Sequence, residues 1–282
     1  MSNIQVNDID VHYWQVGEGP DVIMVHGLLG NLAVWHLRMV PLMRGSYKMT
    51  TLDMRGHGFT TRTPTGYDTN NLSEDLKGLL DKLGIEKAHI VGHSFGADVC
   101  LHFAIKYPHR VDKLVLIEPG LAALVHERMK SEWVGWDFWV GRLAEVGVDV
   151  PKEKHSDFQY LLNLSLDTPK FYGPAKSLPR KRGPLLRLVN ETTLVDDYQV
   201  IAGMTLDLIS SFRHPTLLVY GSDSYFMGTF DYLREVWPHA QSVTLHGGGH
   251  FGPLEEPEKL VELMDAFFKS PDTVMQQAEP GD

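Results

Sequence analysis

The run Ile90-Val91-Gly92-His93-Ser94-Phe95-Gly96-Ala97 joins an apolar strand to an apolar helix through one serine held between two glycines. Before it, Lys87 to Val91 is short and apolar, as a buried parallel strand is. After it, Ala97 to Tyr107 carries Val99, Leu101, Phe103, Ala104 and Ile105 until Pro108 stops the helix. A strand that turns directly into a helix brings the turn against its neighbours, so Gly92 and Gly96 remove side chains where the backbone must pass closely. Ser94 is left displayed at the turn. Five residues of pattern mean little alone; strand, turn and helix in this order make the serine a candidate nucleophile.

The remaining chain supplies a sheet for that turn. Ile4 to Val6 and Val11 to Val16 alternate apolar and polar residues around Asn7-Asp8 and read as an antiparallel pair at a sheet edge. Val22 to Val25 is a continuous apolar run ending in the loop His26-Gly27-Leu28-Leu29-Gly30, and Leu32 to Met43 reads as a helix with Asn31 as its N-cap. Tyr47 to Leu52 is a further strand, closing on Asp53-Met54-Arg55-Gly56-His57-Gly58. Leu72, Leu76, Leu79, Leu80 and Leu83 then recur at helical spacing up to Gly84. Leu114 to Ile117 delivers Glu118-Pro119-Gly120. Pro215 to Tyr220 delivers Gly221-Ser222-Asp223-Ser224, and Ser242 to Leu245 delivers His246-Gly247-Gly248-Gly249-His250 before a closing helix, Glu258 to Phe268. Eight strands, apolar on both sides in the middle and alternating with helices, specify an α/β fold: a mostly parallel sheet covered on both faces.

Strand signals vanish between residues 121 and 211, where Trp133, Trp136, Phe138, Trp139, Phe158, Tyr160, Phe171 and Tyr172 lie among charged helical stretches. Ninety residues without a strand inside one sheet read as an inserted helical lid. The expected organisation is therefore a core of residues 1–120 and 212–270, a lid of 121–211 and a solvated tail of 271–282.

Composition narrows the function. A formal charge of -10, with no basic stripe, argues against nucleic acid as a partner. The single cysteine, Cys100, falls in the helix after the serine turn and cannot form an internal disulfide. With no signal-like leader and no stretch of membrane-spanning length, the expectation is a cytoplasmic protein, monomer or homodimer, acting on a small molecule.

A serine hydroxyl needs a base within reach and a third group to fix the base's tautomer. His250 follows three glycines at the end of the last strand and is the favoured base, with His246 a minor rival. Most of the other histidines lie in strands, helices or surface turns without metal-ligand spacing. Neither metal nor cofactor is implied. Two backbone N–H groups must face the developing oxyanion: that of Phe95, directly after the serine, and that of Leu28 in the glycine-flanked loop. Asp98 reads as a helix-start carboxylate favoured by the macrodipole, and Asp53 and Arg55 as braces of the fold.

His26-Gly27, Asp53-x-Arg55-Gly56-His57-Gly58, Gly92-His93-Ser94-Phe95-Gly96 and Gly249-His250-Phe251, in that order, resemble the α/β-hydrolase-fold family from about Val11 to Phe268. The resemblance implies Ser94 as nucleophile, His250 as base, and Leu28 and Phe95 as oxyanion hole. A serine at the turn argues against the haloalkane dehalogenase and epoxide hydrolase branches, which use aspartate there. The acid departs from the pattern. Its usual place, three residues after the glycine ending the penultimate strand, holds Ser224, with Asp223 one residue early; the other family location holds Glu118. Both carboxylates stay open.

Trp35, His93, Trp136 and Trp139 are candidate pocket residues, although the lid aromatics are equally needed to pack its helices. Lys176 to Arg187 is basic and proline-rich, a solvated loop or a contact for an acidic group. The expected activity is hydrolysis of a hydrophobic carboxylic ester or lactone through an acyl-enzyme. A thioesterase or a carbon–carbon bond hydrolase would use the same residues, and a non-catalytic ligand receptor of this fold is the alternative of another class.

Overall fold

The computed structural model describes residues 2–125, 132–168, 182–247, 249–250 and 255–271. Eight strands form one sheet: β1 (Ser2–Val6), β2 (Ile9–Val16), β3 (Asp21–Val25), β4 (Lys48–Leu52), β5 (Ala88–His93), β6 (Val111–Ile117), β7 (Thr216–Gly221) and β8 (Gln241–Leu245). Their spatial order is β1-β2-β4-β3-β5-β6-β7-β8. The first two pairings, β1 with β2 and β2 with β4, are antiparallel, and all the others are parallel. Asn7 takes a left-handed φ of 51° in the two-residue turn that closes the edge hairpin, as a short polar side chain tolerates.

The apolar runs of the central strands are explained by burial on both faces. Along β5, Ile90 joins the cluster formed with α3 (Thr69–Lys82) and α4 (Phe95–Lys106), whereas Val91 joins a second cluster on the opposite face. That second cluster contains Trp35 of α1 (Ala33–His36), Met39 and Val40 of α2 (Met39–Met43), and Leu260 and Met264 of the final helix, Pro257–Lys269. The helix expected over residues 32–43 is thus two short ones. Pro41 has no N–H to give the carbonyl of Leu37, and its ring would crowd that carbonyl, so one continuous helix is excluded. The N-cap of α1 is Leu32 and not the expected Asn31, whose side chain lies one residue further out and accepts from Ala33 N at 2.9 Å.

Between β6 and β7 the described residues form five helices of more than four residues and no strand: α5 (Gly135–Glu145), α6 (Phe158–Asp167), α7 (Arg182–Asn190), α8 (Leu194–Tyr198) and α9 (Leu206–Ser211). Their apolar residues, among them Trp136, Phe158 and Leu188, together with Trp133 just before α5, continue the cluster of α3 and α4. Phe171, Tyr172, residues 176–181 of the basic stretch, and the tail beyond residue 271 lie outside the described residues. The helix after β7 is α10 (Met227–Val236), and Pro257–Lys269 is α11.

Candidate active site

The site gathers where β3, β5, β6 and β7 end. At the tip of β5, Ser94 has φ 54° and ψ −128°, a conformation that costs a non-glycine residue energy and persists when its surroundings over-determine it. The flanking glycines explain how. A Cβ on Gly92 would fall 2.4 Å from the carbonyl oxygen of Gly96, and one on Gly96 would fall 2.3 Å from that of His26. Ser94 N donates to Ile117 O at 2.8 Å, tying the turn to β6, and Phe95 opens α4, so its N–H has no acceptor within the helix.

The loop after β3 lies directly against the serine: a Cβ on Gly27 would stand 3.0 Å from Ser94 Cβ. Its shape is fixed on both sides of Leu28. Gly30 N donates to Gly27 O at 3.0 Å, Leu29 N to His57 Nε2 at 3.1 Å, and Leu32 N to Asp53 Oδ1 at 2.8 Å. His57 Nδ1 faces the carbonyl of Arg55 at 2.8 Å, so the proton sits on Nδ1 and Nε2 is free to accept. Burial, with His26 adding to it, holds the His57 pKa down at about 3, which keeps that acceptor available across the working pH range. Asp53 also accepts from His12 Nδ1 at 2.7 Å and Phe59 N at 2.9 Å, and Arg55 is paired with Asp75 and Asp8. The charged run after β4 is the brace that its composition indicated, and His57 is the part of it that reaches the loop.

Of the two candidate carboxylates, one meets the histidine. Glu118, buried and at φ 58°, directs Oε2 to His250 Nδ1 at 3.4 Å. The same carboxylate accepts from Gly221 N at 2.5 Å and from the hydroxyl of Ser224. Asp223 is exposed and accepts from its neighbour Ser222 at 3.1 Å. The turn bonded from Ser224 N to Gly221 O brings the side chain of Ser224 inward and leaves that of Asp223 exposed. Ser224 was detectable from its spacing, which put it at the family's usual acid position, but not as a donor to a carboxylate on another strand.

Asp98 does more than favour a helix start. Its two oxygens accept from Gly120 N and Leu121 N, each at 3.1 Å, clamping the strained backbone beyond Glu118, where Leu121 has φ 62°.

The four candidate pocket residues divide. Trp35 is wholly buried among Met24, Met39 and Val91, and His93 is buried with Nε2 2.7 Å from the carbonyl oxygen of His250; both make interior contacts in this structure. Trp136 and Trp139 stack at 6.5 Å, and Trp139 Nε1 donates to Ser165 Oγ. Trp136 meets Trp133 edge-on at 5.0 Å, Trp133 stacks on Phe226 at 5.3 Å, and Phe226 and Tyr225 lie 5.3 and 4.9 Å from the His250 ring. An unbroken aromatic array thus runs from α5 to the His250 ring. Tyr225 and Phe226 escaped the sequence reading, although an aromatic pair directly after a strand-end turn was there as a signal.

A serine on a strained turn, a glycine loop against it, and a histidine backed by a buried carboxylate define the class of protein. The model of the family described as alpha/beta hydrolase fold matches residues 20–257, and the chain belongs to that family. Among curated relatives, epoxide hydrolase 3 of Siraitia grosvenorii is 32% identical over 175 residues, 60% of this chain and 52% of that protein. The 2-hydroxy-6-oxononadienedioate/2-hydroxy-6-oxononatrienedioate hydrolase 1 of Dechloromonas aromatica is 25% identical over 267 residues, 92% of this chain and 91% of that one. The chain spans about half the length of the first curated relatives it matches. Among solved structures, Est816, described as an N-acyl homoserine lactone degrading enzyme, superposes with a TM-score of 0.72 at 22% identity, covering 94% of this chain and all of that one; this likeness is one of fold.

Proposed function

We propose that the chain is a serine hydrolase that cleaves a carboxylic ester or lactone of a hydrophobic, ring-bearing substrate through an acyl-enzyme. The observation that carries the reading is the contact of the buried Glu118 carboxylate with His250 Nδ1, at the strand end beside the Ser94 turn. Held this way, His250 keeps its proton on Nδ1 and offers Nε2 as base. Ser94 Oγ adds to the substrate carbonyl carbon while its proton passes to Nε2. The carbonyl electron pair moves onto oxygen, facing the N–H groups of Leu28 and Phe95, each worth roughly 3–4 kcal/mol of barrier. Collapse breaks the ester bond, and Nε2 returns the proton to the departing alkoxide. Water then repeats the sequence on the acyl group, releasing the acid and restoring Ser94.

The aromatic array from Trp136 to Phe226 supports an apolar substrate, and the helices between β6 and β7 are proposed as its lid. A second reading, hydrolysis of a carbon–carbon bond by the same residues, is favoured by the Dechloromonas relative, which matches nearly the whole chain and is named for an unsaturated oxo-dicarboxylate.

Release of p-nitrophenol from aryl-acyl and short-acyl esters, and ring opening of lactones, should fall by roughly 10^5–10^6 in kcat in S94A, as loss of a serine nucleophile does elsewhere. Turnover of a 2-hydroxy-6-oxodienoate chromophore with negligible ester cleavage would favour the second reading. Tight ligand binding without turnover of either would leave a receptor and overturn both.

A further inference from the structure

His93 precedes the nucleophile, ends β5, and faces the base from within the protein. Its Nε2 lies 2.7 Å from the carbonyl oxygen of His250, 157 residues away in sequence, and the two rings are 5.1 Å apart at 36°. A carbonyl oxygen can only accept, so Nε2 carries the proton and the neutral ring is the Nε2–H tautomer. Trp35 stands edge-on to the ring at 6.5 Å, and a Cβ on Gly27 would come within 3.3 Å of Nδ1, so the ring is confined on the sides of α1 and the glycine loop as well.

The two ends of this bond differ in how firmly the sheet holds them. β5 is central, paired with β3 and β6, whereas His250 follows β8, which among the described residues is an edge strand paired with β7 alone. Glu118 fixes the orientation of the His250 ring through Nδ1 but leaves open how far the His250 backbone stands from Ser94. The His93 bond sets that distance from the residue adjacent to the serine.

We propose that His93 is a positioning residue, whose Nε2–H holds the backbone of His250 at a fixed separation from Ser94 so that the base meets the serine hydroxyl. This rests on the assignment of Ser94 and His250 as nucleophile and base. His93 touches no reacting atom. Its action is on geometry, where displacement by about 1 Å costs roughly a hundredfold in rate. Burial and the neighbouring His250 hold its pKa at about 3, so the anchor is insensitive to pH in the working range.

The test compares H93Q and H93M, side chains of similar length that differ in having a terminal N–H donor, with p-nitrophenyl ester as substrate. H93M should lose roughly ten- to a hundredfold in kcat with KM nearly unchanged. H93Q should recover most of that loss at the same thermal midpoint. The downfield proton resonance of His250 Nδ1–H should broaden or vanish in H93M and persist in H93Q. Equal impairment of the two variants, or a wild-type kcat in H93M, overturns the proposal. In the wild-type protein, nitrogen-15 spectra must show His93 protonated at Nε2; the Nδ1–H tautomer overturns it even if neither variant folds. S94A separates the two levels: turnover surviving in S94A sinks the nucleophile assignment itself, whereas an inactive S94A beside a fully active H93M sinks the role of His93 alone.

Discussion

β6 and β7 are neighbours in the sheet, and each ends in a turn carrying a carboxylate, yet the two carboxylates have opposite surroundings. Glu118, after β6, is buried and meets His250, a backbone N–H of β7 and the hydroxyl of Ser224. Asp223, after β7, is exposed. What separates them is the phase of a tight turn. With Gly221, Ser222, Asp223 and Ser224 closed by a Ser224 N to Gly221 O bond of 3.1 Å, the fourth residue faces inward and the third faces water. The β7 end contributes donors to the carboxylate on β6. Being near the right strand end matters less than the number of donors converging on a carboxylate, since those donors keep it oriented and compensate for its burial.

The largest effect that tests this contrast is removal of each carboxylate. E118A should lose roughly 10^3–10^4-fold in kcat on an ester substrate, the scale seen when the acid of a serine triad is removed, while D223A should stay within about twofold. Comparable losses in the two would erase the distinction between the strand ends. A sharper version moves the acid. E118A/S224D puts a carboxylate at the position that the family pattern favours, and kcat should rise about tenfold or more above E118A if either strand end can orient His250. No recovery would mean that the β7 turn cannot present a carboxylate to the base at all.

A smaller effect belongs to the donor. S224A removes the hydroxyl that bonds Glu118 Oε2, the oxygen that also faces His250. A hydrogen bond to a charged group is worth about 1.5–3 kcal/mol, so kcat should fall roughly ten- to a hundredfold, less than in E118A. S224T, which keeps a hydroxyl, should retain more activity than S224A. If the two behave alike, Ser224 fills space and does not orient the acid.

The contrast also explains what could be read from the chain and what could not. The order of strands, the serine turn and the paired glycines were legible because each depends on local rules: apolar runs for strands buried on both faces, a proline to stop α4, no side chain where α4 crosses β3. The choice between Glu118 and Asp223 was not, because a shift of one residue in a turn exchanges inward and outward side chains while leaving composition and spacing unchanged. His93 and His57 were hidden for a related reason. Each acts through one ring nitrogen on a backbone group contributed by a distant segment, His93 on His250 O and His57 on Leu29 N, and no periodicity marks such pairs. The split of the expected 32–43 helix, by contrast, was present in Pro41 and follows from its missing N–H.

Asp98 offers the finest test of how the β6 end is held. It grips Gly120 N and Leu121 N from α4, and no equivalent clamp from a helix start acts on the β7 turn among the described residues. Burial raises its pKa to about 7 against these two N–H donors, which favour the charged form. The groups around it, Tyr198, Tyr220 and Cys100, are themselves pushed up by burial and by Asp98, so none of them supplies a positive charge. Between the ordinary carboxylate pKa near 4 and 7, the folded protein therefore keeps a proton that the unfolded chain has released. Stability must fall as pH rises through that window and level off above it, with a slope from this group of at most about 1.4 kcal/mol per pH unit. D98N removes the titration and turns an amide N–H₂ toward two backbone donors. It should be less stable than wild type at pH 5, and the gap should narrow as pH approaches 7. Urea unfolding of both proteins at pH 5, 6 and 7 measures the difference; parallel stability curves would mean that Asp98 is ionised throughout and that its clamp on Gly120 and Leu121 carries no pH dependence.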